Sequence, residues 1–402
     1  MTSLPTQCSK KVNGCFCDNV YVKNAVYTNL IQPRTSGGKV SIPALDLAGL
    51  ECLNLTDNTT NVGCGAGGNL GNNMTSVGTN ALKDATGNAN VGIGNSAGVS
   101  LTIGSCNTLV GSNVSGALTT GIANVMIGQL AGNTIDTGSA NTIVGQSAGN
   151  SASAGLTGSV LIGRFAGQNL TADDTVIIGT NAGSSLTTGS NNTIIGHEAG
   201  QSLTTGVNNT TVGYRTGSNL TTGFNNTLIG RLSGESLTTG TENTTLGNSA
   251  GRFLTTAEQN TLIGNFNGLN ITTGSGNTSI GYIALDGVST GSNNTAIGNG
   301  AGANMSVQSG CILIGNSAGA NNTTNNRLMI HNSDTNKPLI DGDFTLDFIT
   351  FNGTVIVDSP NTAQMDFRNA SPTGVPVLSN MHVLVTVNGG VGPYYIRLYE
   401  NP

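Results

Sequence analysis

A 17-residue repeat constrains this chain more than any other feature of its sequence. A glycine preceded by an apolar residue recurs along most of the chain, and from Gly179 to Gly315 every step between copies is 17 residues. Upstream the most frequent step is also 17 residues, and the other steps are 15, 16 or 18. The sixteen copies of this key glycine are Gly63, Gly78, Gly94, Gly111, Gly128, Gly145, Gly163, Gly179, Gly196, Gly213, Gly230, Gly247, Gly264, Gly281, Gly298 and Gly315. Because one such unit cannot bury a core alone, the repeat predicts coils that stack on one another.

The composition of the unit indicates its secondary structure. Each unit reads Asn-Thr-x-(Ile/Val)-Gly-x-x-Ala-Gly-x-x-Leu-Thr-Thr-Gly-x-Asn, and residues 192–206 show most of it. Two β-rich stretches separated by glycine-containing turns favour strands over helices, since Gly and Thr are poor helix formers. We therefore predict an all-β fold, a parallel β-roll or β-solenoid of 17-residue coils. With rungs about 4.8 Å apart, sixteen coils form a rod of roughly 75 Å.

Two apolar columns are predicted to form the core of the coil. The second lies seven residues after the key glycine and includes Leu203, Leu220 and Leu237. The first immediately precedes the glycine, and its members are Ile195, Val212, Ile229, Ile263, Ile280 and Ile297. The recurring Asn, represented by Asn192 and Asn209, is expected to stack into a hydrogen-bonded ladder.

A further column, two residues before the key glycine, is also often apolar, as at Ile194 and Leu228. By alternation it is expected to face away from the coil interior. A solvent-facing Ile/Leu column is unfavourable unless a partner covers it. We therefore expect self-association, most simply as a parallel homotrimer, with a two-fold assembly left open.

Composition excludes several functional classes. Charged residues are only 8% of the chain, and 14 Lys+Arg stand against 20 Asp+Glu, so no basic surface for nucleic acid is expected. No run of about 20 apolar residues predicts membrane insertion. The first residues show no apolar run of signal-peptide length after Lys10 and Lys11, so ordinary signal-directed export is not expected.

The regions outside the repeat suggest four segments. Residues 1–57 are interpreted as an N-terminal attachment or assembly arm with strands at 20–22 and 40–42, and residues 58–325 as the β-roll. Residues 326–358 are interpreted as a capping or neck segment whose Phe344, Phe348 and Phe351 plug the open coil. Residues 359–402 are predicted to hold a β-hairpin. Its candidate tip contacts for a glycan are Tyr394, Tyr395, Arg397 and Tyr399, with a purely structural role as the alternative.

No catalytic, cofactor or metal site is predicted. The G-x-G-x-x-G match at residues 63–68 lacks a strand–turn–helix context. The three histidines are far apart in sequence, and the acidic pairs Asp173/Asp174 and Asp341/Asp343 are interpreted as turn residues. The seven cysteines leave a crosslink, a metal knot and plain small residues open. The chain is therefore not expected to be an enzyme, although a depolymerase built on a β-solenoid is the third hypothesis.

The repeat resembles the head repeats of trimeric autotransporter adhesins, and still more the related repeats of phage and giant-virus tail-fibre proteins. The resemblance covers about residues 58–325 and continues in the segment 326–344, which is similar to segments that close such arrays. It implies a homotrimer of left-handed parallel β-rolls used for surface attachment. We expect no C-terminal β-barrel anchor in this chain, and we expect the self-cleaving chaperone domain of phage-type relatives to be absent or already removed, which favours a particle-assembled viral fibre.

The first hypothesis is thus a non-enzymatic structural and adhesive fibre on a virion surface or outside the cell. Its partners would be further copies of itself, a virion bound through the N-terminus, and a glycan or receptor on the host surface. The alternative is a self-assembling extracellular filament subunit, joined by strand exchange of the N-terminal arm.

Overall fold

The computed structural model describes residues 19–22, 25–28, 53–56, 59–63, 65–67, 72–333, 337–352, 384–385 and 394–395. Within these ranges the chain is all-β and contains no helix. The strands are β1 (Asn19–Val22), β2 (Ala25–Thr28), β3 (Leu53–Thr56), β4 (Thr59–Val62), β5 (Met74–Val77), β6 (Val91–Ile93), β7 (Thr108–Val110), β8 (Val125–Ile127), β9 (Thr142–Val144), β10 (Val160–Ile162), β11 (Val176–Ile178), β12 (Thr193–Ile195), β13 (Thr210–Val212), β14 (Thr227–Ile229), β15 (Thr244–Leu246), β16 (Thr261–Ile263), β17 (Thr278–Ile280), β18 (Thr295–Ile297), β19 (Ile312–Ile314), β20 (Arg327–Ile330), β21 (Ile340–Asp343), β22 (Phe348–Phe351), β23 (Leu384–Val385) and β24 (Tyr394–Tyr395).

The strands from β4 to β20 form one parallel ladder in chain order. Each pairs with the next, as when Val212 of β13 lies opposite Ile229 of β14. The sixteen pairings define sixteen turns of a solenoid, so the predicted β-roll of roughly 17-residue coils is confirmed. The ladder ends in antiparallel strands, β3 on β4 at one end and β21 and β22 beyond β20 at the other. The chain divides into two units, Met1–Gly353, which includes the whole ladder, and Thr354–Pro402.

The key glycine sets the spacing of the coils. Gly213, for example, has a φ of +139°, a conformation that L side chains rarely adopt. A Cβ placed on it would collide with the backbone carbonyl of Gly230 in the next coil. The chain therefore turns sharply after each strand, and neighbouring coils approach to backbone contact.

A buried asparagine ladder joins the coils, as predicted. The Asn226 amide nitrogen donates to Asn209 Oδ1 at 3.1 Å and to the Gly240 carbonyl at 2.9 Å. In turn, Asn226 Oδ1 accepts from the backbone N–H and the amide of Asn243, both at 3.1 Å. Because these amides are fully buried and fully paired, each coil is held to both of its neighbours.

One of the two predicted core columns is confirmed. Leu203, Leu220 and Leu237 are fully buried, and the other leucines, isoleucines and valines at this position of the coil are buried with them. They pack with the alanine three residues after the key glycine, such as Ala199. The coil interior is therefore narrow and filled in each turn by one residue of the leucine column, one small residue that is most often alanine, and one strand residue.

The other predicted core column is wrong, because it faces outward. Ile280 and Ile297 are 40% and 39% exposed, and Ile195, Val212, Ile229 and Ile263 are only partly buried. The strand residue inside the coil is the preceding one in each case, and it is fully buried: Ile194, Thr211, Leu228, Leu262, Ser279 and Ala296. Side chains alternate along a strand, so an assignment displaced by one residue reverses every strand of the array.

The segments outside the array agree with the predictions in part. The predicted strand at 20–22 lies within β1, but β1 pairs with β2, whereas the predicted strand at 40–42 lies outside the described residues. In the C-terminal unit β23 and β24 pair antiparallel, as the predicted hairpin requires.

The expectation that Phe344, Phe348 and Phe351 plug the coil is wrong, since they are 47%, 45% and 55% exposed. The reason is that β21 and β22 extend the sheet beyond the last coil.

Candidate functional site

The most distinctive surface of the molecule is the outward side of the long ladder. We name the column that follows the buried strand residue the outer stripe; it has nineteen members in mutual register. They are Val62, Val77, Ile93, Val110, Ile127, Val144, Ile162, Ile178, Ile195, Val212, Ile229, Leu246, Ile263, Ile280, Ile297, Ile314, Ile330, Ile340 and Phe351. Every member is aliphatic or aromatic, and none is buried.

The outer stripe continues past the end of the repeat. Ile314 of β19 lies opposite Ile330, which lies opposite Ile340, and Ile340 lies opposite Phe351. The strands β20 to β22 carry neither the Asn-Thr motif nor the key glycine, and two of their pairings are antiparallel. The apolar column is therefore not a by-product of the repeat motif.

A second outward column lies two residues before the outer stripe. Within the array it holds Thr or Val, as in Thr193, Thr210 and Val176, and at its C-terminal end it continues through Ile312 and Ile349. Neither column contains a charged residue in β4 to β22. Together they make the outward side of the ladder, which we call the outer face, uncharged and rich in β-branched side chains along its whole length.

The buried strand column between them is less uniformly apolar than the exposed stripe. It contains Thr211, Thr245 and Ser279, and Thr245 hydrogen-bonds to Ser233 inside the coil at 2.6 Å. A column chosen only for the core of the monomer would show the opposite bias, because buried hydroxyls need partners. The exposed column is therefore apolar for a reason outside the isolated coil.

The size of this surface exceeds that of an ordinary apolar patch. If each of the nineteen side chains exposes on the order of 50 Å², the outer stripe presents on the order of 1,000 Å². The largest apolar patch of a typical monomer is about 300–600 Å². A stable protein–protein interface needs about 800 Å² from each partner. The outer stripe thus has the area of an interface.

Bulky and charged side chains are concentrated beside the outer stripe in a few consecutive coils. The rings of His197 and Tyr214 stack at 5.5 Å, and the guanidinium of Arg231 lies 5.7 Å from the centre of the Tyr214 ring. Because both faces of the Tyr214 ring lie against neighbours from adjacent coils, this row is a rigid ridge and not an open stacking platform for a sugar ring.

Next to that ridge runs a chain of ion pairs across four coils. Arg215 lies 3.5 Å from both Glu198 and Glu235, and Arg252 lies 2.7 Å from Glu235. These four charges satisfy one another, so they hold coils together and leave little net field for a charged ligand.

Of the acidic residues named in the sequence analysis, Asp173 and Asp174 lie in the turn before β11. Asp341 and Asp343 lie in β21, so their interpretation as turn residues is wrong. Asp343 accepts from the backbone N–H groups of Thr345 at 2.8 Å and Leu346 at 3.2 Å, and Asp173 accepts from the Thr157 N–H at 2.8 Å. Asp341 is paired with Arg327 at the wall of a pocket of about 230 Å³ at the C-terminal end of the array. In the described part of the chain, no group of three or more His, Cys, Asp or Glu side chains is placed to hold a metal ion.

Among the described residues, two titratable groups have perturbed pKa values, and burial is the main cause in both. Burial raises the pKa of the Cys311 thiol, while hydrogen bonding to Asn322 and the charge of Arg327 partly oppose that rise. Burial likewise raises the pKa of Asp286. A thiol with a raised pKa is a poor nucleophile, so Cys311 serves packing at the end of the asparagine ladder, where its N–H donates to Asn294 at 3.0 Å.

The predicted tip contacts stay predictions. Tyr394 and Tyr395 form β24, whereas Arg397 and Tyr399 lie outside the described residues. The sequence analysis predicted an outward apolar column but assigned it to the wrong residues. It placed the column of Ile194 outside, whereas the column of Ile195 faces outward. The signal was present, since Asn192 and Ile194 are two residues apart and must lie on the same side of the strand.

Comparison of the chain with protein-family models, with curated proteins and with solved structures gives no match. A search of the described residues for a helix long and apolar enough to cross a membrane also finds none. The case for a function therefore depends on the geometry of the array itself.

Proposed function

We propose that this protein is a structural and adhesive fibre, assembled from parallel copies that cover one another's outer faces, most simply as a homotrimer. The observation that carries the proposal is the uninterrupted outer stripe, apolar in all nineteen strands and exposed in the single chain. Covering it removes on the order of 1,000 Å² of apolar surface from water for each chain. A solenoid stiffened in this way suits a rod that holds a binding tip away from a particle.

The attachment role is the second part of the proposal. Its support is the resemblance of the repeats to fibre and adhesin heads, together with an array that is long, regular and nearly uncharged. The rod would be fixed to a virion through the N-terminal arm and would contact a host glycan or receptor at its far end. The site of that contact would be the C-terminal hairpin around Tyr394 and Tyr395.

The alternative, a filament subunit, is favoured by one specific feature. Strand β22 ends the ladder with Phe348, Ile349 and Phe351 exposed and without a charged residue or proline in the strand. Natural edge strands are usually protected from end-to-end pairing by such residues. A head-to-tail contact at this edge would generate an open filament instead of a closed assembly.

The test is the mass and shape of the purified protein, by mass photometry and negative-stain electron microscopy. We expect short rods with the mass of three chains. Replacing Ile229 and Ile263 with lysine should weaken association at least ~100-fold, because two charges would then lie within a dry interface. The same pair of changes at Thr222 and Thr256, exposed turn residues of the same coils, is the matched control and should leave the mass unchanged.

Three results would count against the proposal in different ways. A monomer that leaves the outer face uncovered would overturn the assembly. Long filaments would replace the closed fibre with the alternative. Rods of the expected mass that bind neither a glycan array nor cell surfaces would leave the assembly standing and overturn the adhesive role.

A further inference from the structure

We infer that two pairs of opposite charges on the edges of the outer face fix the direction and the axial register of neighbouring copies: Arg164 with Asp173/Asp174, and Arg231 with Glu242. The inference rests on the proposed self-association. It starts from a difficulty, because a uniform apolar stripe does not specify register. Sliding one copy by a single rung, about 4.8 Å, uncovers only one of nineteen positions.

The outer face has two edges that differ chemically. We call the residue that follows each key glycine the trailing edge. The two residues that precede each position of the asparagine ladder, including Thr175 at that position, form the leading edge. Both lie at the surface, on opposite sides of the strand along the chain. The trailing edge carries Arg164 and Arg231, and the leading edge carries Asp173, Asp174, Glu242 and Glu258.

These charges have no ionic partners among the described residues. None of them takes part in the five ion pairs of the described residues, and all of them are exposed. They are nevertheless held in place. Arg164 lies 4.8 Å from the Phe165 ring centre, Arg231 lies over Tyr214, and Glu242 accepts from the Gln259 amide at 3.0 Å.

The spacing of the charges on the two edges matches. Arg164 belongs to the coil of Gly163 and Arg231 to the coil of Gly230, four coils further along. Asp173 and Asp174 precede the strand of the next coil after Arg164, and Glu242 precedes the strand of the next coil after Arg231. In a closed parallel assembly, neighbouring copies lie at the same axial height. Each arginine is then about one rung, or about 4.8 Å along the axis, from the acidic residue of its neighbour, and the two opposite-charge pairs lie about 19 Å apart. Glu258 lies one coil beyond Glu242, so a shift of one further coil would bring it to Arg231. That shift would place Arg164 beside Ser190 and Asn191, without an acidic partner, so it cannot satisfy both arginines.

The same pattern selects the direction of the neighbour. When two outer faces meet with their chains running in the same direction, the trailing edge of one copy faces the leading edge of the other. When the chains run in opposite directions, like edges meet, so that neither Arg164 nor Arg231 meets an acidic residue of the leading edge. Like-charge contacts at an interface are unfavourable, and a few polar residues often determine register in otherwise uniform assemblies.

The experiment is a charge swap with mass photometry as the readout. Changing Arg164→Glu and Arg231→Glu together should weaken association by about 10–100-fold, because acidic edges then face acidic edges. Changing Asp174→Arg and Glu242→Arg together should do the same. The chain with all four changes should recover parental association, since its edges are again complementary. Lys83→Glu, an exposed charge away from the outer face, is the control and should have no effect.

A chemical crosslink tests the axial register by identifying which residues of two neighbouring copies lie close together. In an Arg231→Lys variant, a carbodiimide should form an amide between the new amine and the Glu242 carboxylate. Mixing chains labelled with ¹⁵N and unlabelled chains shows by mass spectrometry whether that amide joins two copies. An intermolecular 231–242 product is expected. A product at Glu258 instead, or charge-reversed chains that assemble like the parent, would overturn the register assignment while leaving the outer-face assembly intact. A monomeric parent would overturn both.

Discussion

The repeat array and the hairpin strands that follow it are built differently, yet they present the same outward column. In the array, each coil is joined to the next by a buried asparagine and a key glycine. In β20 to β22 the chain turns back on itself, and both of those columns are gone. The outer stripe alone continues, through Ile330 and Ile340 to Phe351. The asparagine and glycine columns, which stabilise the coil, therefore end where the coil ends. The outer stripe, which we propose is covered by a partner copy, continues beyond it.

The largest expected effect is on the glycine column of the array. Changing Gly230→Ala should destabilise the protein by about 3 kcal/mol or more, because φ there is +130° and the new Cβ would collide with the Gly247 backbone. Gly155→Ala is the matched control, since its Cβ would meet only Thr137 Oγ1 at 3.8 Å. Thermal unfolding followed by circular dichroism measures both. Equal melting temperatures for the two variants would contradict the assigned role of the key glycine.

The next effect concerns the asparagine ladder. Changing Asn226→Leu removes five side-chain hydrogen bonds and leaves the Asn243 N–H and the Gly240 carbonyl buried without partners, so a loss of about 2–4 kcal/mol is expected. Asn226→Ser should cost less, because the chain itself places Ser159 in this column and its N–H still donates to Asn141 Oδ1 at 3.0 Å.

Two measurements distinguish the Asn226→Leu and Asn226→Ser variants: the free energy of unfolding in denaturant, and hydrogen exchange at the backbone N–H of Asn243. The Leu variant should lose protection at that amide to a greater degree than the Ser variant. If the Ser variant is instead the less stable of the two, the ladder contributes mainly through side-chain volume and not through its hydrogen bonds.

Much of this architecture follows from the sequence, and the part that does not has a physical cause. The 17-residue step, the glycine turns, the Leu203 column and the asparagine ladder each have one chemically distinctive residue type per coil. The two strand columns lack such a distinctive residue type, because Ile194 and Ile195 are both apolar. Alternation along the strand shows that one of them faces the coil interior and the other faces outward, but it does not show which. The buried asparagine two residues before Ile194 resolves this ambiguity. The exposed phenylalanines of β22 were out of reach, since they depend on strands that extend the sheet instead of closing the coil.

The smallest expected effect tests whether the hairpin strands share the interface of the array. Phe351 and Thr350 are neighbours on β22, both are exposed, and they point to opposite sides of the sheet. If the outer face is covered over its whole length, Phe351→Lys should weaken association by about 10-fold, since one apolar contact of nineteen is lost and a charge is introduced. Thr350→Lys should leave association unchanged, and neither variant should alter the melting temperature of the array. Dilution series by mass photometry compare the two. Equal weakening by both would mean that β22 meets its partner through its free edge, as in a head-to-tail filament. No effect of either would mean that the shared interface ends before β22.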